Sequence, residues 1–120
     1  MENVIILGAS DKPDRYSFKA YKLLSEYGHK CHLIHPTLSN IEGEKVYSDL
    51  EEIKLRPDTL TVYINPSLSS KLLDKIIKLN PKRIIFNPGS ENPELYPKLN
   101  EENIHFEEAC TLVLLRTGQY

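Results

Sequence analysis

The chain has 120 residues, 40% hydrophobic and 27% charged, with a formal net charge of −2. This is the balance of one ordinary globular domain, residues 1–120, burying roughly 65% of its unfolded surface without disulfide or metal staples. Scattered Lys and Arg exclude the basic field of a nonspecific nucleic-acid binder, and no apolar run nears the roughly 20 residues of a membrane span, so neither nucleic acid nor membrane is an expected partner.

Residues 3–7 read as a strand covered on both faces, because the run is apolar and β-branched without alternation. Residues 17–27 predict a helix with Ala20, Leu23, Leu24 and Tyr27 on one face, stopped by Gly28. Lys30 to His35 is a second strand, ended by Pro36. Between 37 and 48, Asn40 and Gly43 mark turns and Val46-Tyr47 suggests a short extra strand. Ser48 with Glu51 suits a capping box for a short helix over Asp49 to Ile53. Thr59 to Asn65 is β-branched and aromatic, a strand.

Asn65-Pro66 has the cap-and-first-turn signature of a helix, with Leu72, Leu73, Ile76 and Ile77 inward. Arg83 to Phe86 is a strand followed by the turn Asn87-Pro88-Gly89-Ser90. Asn92-Pro93 repeats the cap signature and opens a helix with Leu95 and Leu99 inward. Residues 104–107 form a last short strand, and the apolar tail from Glu108 to Leu115 is read as a short helix.

Strands alternating with helices give the rhythm of right-handed βαβ units. The expected fold is a three-layer, Rossmann-like α/β sandwich with a mostly parallel sheet of five or six strands. Ligands on such sheets bind at the carboxyl ends of the strands. Loops 8–17, 35–39, 64–67 and 87–91 should therefore converge.

The first of these loops, Gly8-Ala9-Ser10-Asp11-Lys12-Pro13-Asp14-Arg15-Tyr16-Ser17, joins a strand to a helix N-terminus. Such a turn can cradle an anion on unpaired N–H groups and the positive end of the helix. Gly8 would let a ligand approach the backbone, Ser10 and Ser17 add hydroxyls, and Lys12 and Arg15 add charge. The plainer reading, that Gly8 only permits the turn, stands beside it. A dinucleotide site is disfavoured twice. GxGxxG is missing, with no glycine between Gly8 and Gly28, and no Asp or Glu occurs from His29 through Ile41 to take a ribose hydroxyl.

The turn Gly8-Ala9-Ser10 with Lys12 and Arg15, the pair His35-Pro36, Ile64-Asn65-Pro66 and Asn87-Pro88-Gly89 resemble the small single-domain CoA-binding proteins. These are relatives of the amino-terminal domain of the succinyl-CoA synthetase α subunit. The likeness runs over nearly the whole chain, including Glu108-Ala109-Cys110. It implies that Gly8, Ala9, Ser10 and Lys12 hold the CoA phosphates, with Arg15 and Ser17 close by. It places His35 and Pro36 near the adenosine, Ile64, Asn65 and Pro66 along the nucleotide or pantetheine, and Asn87, Pro88 and Gly89 near the pantetheine arm. The family usually has Asn where this chain has His35, and Ser17 adds a side chain at a small-residue position.

The reading is of a module that binds CoA or acyl-CoA without catalysis, the synthetases' phosphoryl chemistry residing on a histidine of another domain. A small enzyme acting on a CoA thioester through His35 or Cys110 is the alternative, and an NAD(H) sensor the weaker third. Cys110 is the one candidate nucleophile, weighed against a buried structural cysteine. The four histidines make no metal-binding spacing, and no metal is expected. His105 reads as a surface residue on an edge strand. With two cysteines, no CxxC and no signal-peptide pattern, the expected setting is the cytoplasm. A protein partner or a homo-oligomer is left open.

Overall fold

The apolar run Asn3–Leu7 forms β1 at the heart of a seven-stranded sheet. The computed structural model describes all 120 residues. After β1 come α1 (Tyr16–Glu26), β2 (Lys30–Ile34), β3 (Asn40–Ile41) and β4 (Glu44–Tyr47), then a 3-10 turn at Leu50–Glu52. They are followed by β5 (Thr59–Val62), α2 (Pro66–Lys71), α3 (Leu73–Leu79) and β6 (Arg83–Phe86). A second 3-10 turn at Pro93–Leu95 leads into α4 (Tyr96–Glu101), β7 (His105–Glu108) and α5 (Thr111–Arg116).

The sheet order is β3-β4-β2-β1-β5-β6-β7, parallel throughout except for the β3–β4 hairpin. The α/β class is as expected, with seven strands rather than five or six. The strand beyond the expected set is β3, which pairs with β4 (where Val46-Tyr47 was expected) in a hairpin closed by Glu42-Gly43 with φ of 51° and 84°. Two positive φ values are the mark of the tight turn whose twist matches paired strands.

Side chains of β1 alternate between two cores, as the period of a strand requires. Ile5 and Leu7 join Leu60, Val62, Ile84 and Phe86 beneath α3 and α4, whose Ile76 and Leu99 are buried. Val4 and Ile6 join Leu33 and Val46 beneath α1 and α5, whose Phe18, Leu24 and Leu115 are buried. The buried face of α1 is Ser17, Phe18, Ala20 and Leu24, while Tyr27 is 53% exposed. Ala20 and Leu24 of the expected stripe are buried, and Phe18 rather than Tyr27 completes it.

Three local expectations shift. The first 3-10 turn is capped by Asp49, whose carboxylate accepts the Glu51 N–H, while Glu52 accepts the Ser48 N–H. The capping box is therefore one residue out of register. The strand read over 59–65 ends at Val62. The helix after Pro66 breaks at Leu72 (φ −98°, ψ 2°), where the Leu72 N–H bonds Ser69 in a tightened turn. No helix is long and apolar enough to cross a membrane.

Candidate functional site

The strand order reverses between β1 and β5, and over their carboxyl ends lies a cleft of about 720 Å³. That is within the roughly 300–1,000 Å³ of small-molecule sites. A second groove, of about 420 Å³, lies between residues 50–56 and α3, away from these strand ends. All four predicted loops reach the first cleft. Gly8, Ala9, Ser10, Lys12, Arg15, Ser17, His35, Pro36, Ile64, Asn65, Pro88 and Gly89 line it, and Pro66 and Asn87 do not.

The first loop is held by its glycine. Gly8 has φ +95°, and its N–H and that of Ala9 both donate to the Ile34 carbonyl, at 3.2 and 3.0 Å. Those two amides tie loop to strand and are not turned to a ligand. The Lys12 N–H goes to the Ser10 hydroxyl (3.1 Å), and the Arg15 N–H to the Lys12 carbonyl. This leaves the N–H groups of Ser10, Asp11, Asp14, Tyr16, Ser17 and Phe18 without an acceptor in the chain. Helix α1 has no capping side chain and no acidic residue in its first turn, so no side chain of the helix itself offsets its positive end. Lys12 and Arg15 are exposed and form no ion pair.

In the second loop, His35 lines the cleft, and its Nδ1 accepts the N–H groups of Thr37 (3.1 Å) and Leu38 (3.0 Å). An Asn side chain makes the same turn through its carbonyl oxygen. That is how a histidine fits where the resembled family has Asn. In the third loop the Asn65 carbonyl oxygen caps α2, accepting from the Leu68 N–H (3.0 Å) and the Ser67 hydroxyl (2.7 Å). In the fourth, the Gly89 N–H donates to Glu91 (2.8 Å).

The third and fourth loops are bonded together from behind. Ser90 donates to the Val62 carbonyl (2.8 Å). The Asn92 amide donates to the Pro66 carbonyl and to the Ser69 and Ser70 hydroxyls, each at 2.9 Å. Asn92 is therefore a tie between segments and not the helix cap its Asn-Pro pattern suggests. Asn87, expected beside the pantetheine, is 2% exposed. Its amide donates to the Thr61 hydroxyl (2.7 Å) and the Val62 carbonyl (3.0 Å), and its oxygen accepts the Thr111 N–H (2.9 Å). Its side chain is committed to joining β5, β6 and α5. Pro66 starts α2 outside the cleft.

Asp11, Tyr16, Leu38, Tyr63, Leu68 and Ser90 also line the cleft and were not singled out from sequence. Tyr16 and Leu68 are 67% and 45% exposed, large apolar side chains at the rim. Burial pushes the Tyr63 phenol up to about 12. Asp11 sets a carboxylate among the cations of the first turn.

Of the other groups considered for chemistry, Cys110 is half-buried at the N-cap of α5, outside the cleft lining. Cys31 is half-buried beside Ser25 and the Tyr21 carbonyl, and burial pushes its thiol up to about 11. His29 accepts the Glu2 N–H, His32 bonds Asn3, and burial lowers the His32 pKa. His105 is exposed on β7, an edge strand, as expected. Only His35 of the four histidines lines the cleft.

Known proteins give this geometry a family. Residues 2–116 match the CoA binding domain family. YneT of Bacillus subtilis (strain 168) is 25% identical over 101 residues, 84% of this chain and 75% of that protein. A crystal structure of an uncharacterized protein superposes with a TM-score of 0.89 at 35% identity, covering 100% of this chain and 98% of that one. A dinucleotide-forming acetyl-coenzyme A synthetase of Ca. Korarchaeum cryptofilum shares the fold at a TM-score of 0.75 and 18% identity, over 89% of this chain and 25% of that one. With the family matched over almost its whole length, the chain belongs to the CoA binding domain family.

Proposed function

We propose that the chain, as one domain over residues 1–120, binds coenzyme A or an acyl-CoA in this cleft and does no chemistry on it by itself. The observation that carries the reading is the first turn. Two cations without a carboxylate partner, Lys12 and Arg15, stand with unpaired N–H groups at the start of α1, on a cleft whose other lining includes Ile64, Leu68 and Pro88. Phosphates need positive charge and backbone donors, which the turn supplies. A pantetheine arm needs a mostly apolar groove with a few amide partners, and the segments 64–65 and 88–89 offer one. A carrier, a sensor or a partner-dependent subunit of the cytoplasm would each use such a module.

The test is calorimetric titration with CoA, with and without NAD⁺, at two salt concentrations. CoA binding that weakens with salt and is untouched by NAD⁺ is expected. No binding at millimolar CoA would remove the ligand and leave the fold. In parallel, acyl-CoA incubated with the protein should release no free thiol. Release that stops in Cys110→Ser or His35→Ala would replace the binding module with a thioester-cleaving enzyme.

A further inference from the structure

His35 is held from both sides. Its N–H donates to the Tyr47 carbonyl (2.9 Å), and its ring Nδ1 receives the N–H groups of Thr37 and Leu38 at 3.1 and 3.0 Å. A nitrogen that accepts two backbone N–H groups carries no proton of its own. The neutral ring must then carry its proton on Nε2. That Nε2–H has no acceptor in the chain, and His35 lines the cleft. The end of the second strand thus presents one donor of fixed tautomer, at the place where dinucleotide folds present a carboxylate to ribose hydroxyls.

The exchange of an acceptor for a donor reverses what the position recognises. A carboxylate accepts from hydroxyls and repels a phosphate. An imidazole N–H donates, and a phosphate monoester offers acceptors with full negative charge, the stronger kind of hydrogen bond. The one carboxylate on the cleft, Asp11, belongs to the first turn. Taking the cleft as a CoA site, on which this step rests, we propose that His35 determines specificity. It selects a ligand whose adenosine ribose is phosphorylated, as at the 3′ position of CoA, over one whose ribose carries free hydroxyls.

The turn geometry supplies the discriminating variants. Asp and Asn both keep an oxygen where Nδ1 now accepts, so the 35–38 turn survives. His35→Asp replaces the outer donor with a carboxylate, and His35→Asn leaves a shorter donor. Affinities of the wild type and both variants for CoA and 3′-dephospho-CoA are to be measured by calorimetry. The wild type should prefer CoA. His35→Asp should lose CoA affinity by about tenfold or more, as expected when one charge-assisted hydrogen bond is lost, with dephospho-CoA changed by less than about threefold. His35→Asn should fall between and keeps the test usable if the Asp variant folds poorly. Nitrogen NMR of the free wild-type protein should show the Nε2–H tautomer at His35.

Equal losses for both ligands, or an Nδ1–H tautomer, would overturn the proposal while leaving CoA binding intact. A wild type that binds neither ligand would instead bring down the reading of the cleft itself.

Discussion

A Cβ placed on Gly8 would stand 3.0 Å from Cγ2 of Ile64 and 3.1 Å from the Tyr63 carbonyl. The glycine that opens the first loop is therefore fitted against the third. The sequence suggests that it clears space for a ligand, and the structure shows what it clears space for: the neighbouring segment of the chain. Gly8→Ala meets both a positive φ of +95° and a hard contact. Together these should cost about 2–4 kcal/mol. Adding Ile64→Ala removes the side-chain contact but not the backbone strain, so the double variant should be less destabilised than the sum of the two single changes. Urea denaturation of all three variants measures this.

Asn87 joins three elements with one side chain. Asn87→Ala strands the Thr111 N–H and takes one partner from the Thr61 hydroxyl, which keeps the Thr111 hydroxyl 2.9 Å away. The expected loss is about 2–4 kcal/mol. Hydrogen exchange should show the first turn of α5 opening well before the sheet. Uniform exchange along the chain would mean that Asn87 does not anchor that helix.

Lys12 and Arg15 are exposed and make no ion pair, so removing both should leave the melting temperature almost unchanged. CoA affinity at low salt should drop by roughly tenfold in the double alanine variant, and its salt dependence should flatten. Asp11→Asn should act in the opposite direction, by about twofold to threefold. Titrations at two ionic strengths separate these outcomes from a general loss of fold.

Burial raises the Cys31 thiol from 9.0 to about 11. Between those values the unfolded chain has lost the proton and the folded chain has kept it. Stability from this site is therefore full below about pH 9 and falls as pH rises toward 11, by on the order of 2 kcal/mol. Tyr63 and Tyr96, each raised from 10.0 to about 12, extend the fall above pH 10. Denaturation of wild type and Cys31→Ala at about pH 7.5 and about pH 10 should show a smaller alkaline loss in the variant.

The strands and the two sheet faces were legible because they rest on runs of residues. Val4-Ile5-Ile6-Leu7 is a short β-branched run ended by Gly8 and forms a covered strand, and Asn65-Pro66 caps a helix by purely local chemistry. Single polar residues were read less well. Asn92-Pro93 carries the same local pattern as Asn65-Pro66, but the Asn92 amide finds three acceptors in α2 and leaves its own helix uncapped. Asn87 ends its strand like a loop residue, yet the Thr61 hydroxyl and the Thr111 N–H draw it inward. Nothing within a few residues of either asparagine announces a partner more than twenty positions away. Val46-Tyr47 is legible as part of β4, but its partner β3 is not, because Glu42 is an unusual residue at φ 51° in the turn that joins them. Tyr16 and Leu68 could have been noticed as apolar residues pointing away from their helices' buried stripes.

The bonds behind the cleft also say how it can move. Ser90 and Asn92 bind the third and fourth loops into one body, and the Ile34 carbonyl binds the first loop to the second. The site is thus built of two pairs of loops, and the seam between them runs where Gly8 lies against Ile64 and the Tyr63 N–H donates to the Leu7 carbonyl (2.8 Å). A change in the width of the cleft would show as a change in the distance between two spectroscopic labels, one on each pair of loops.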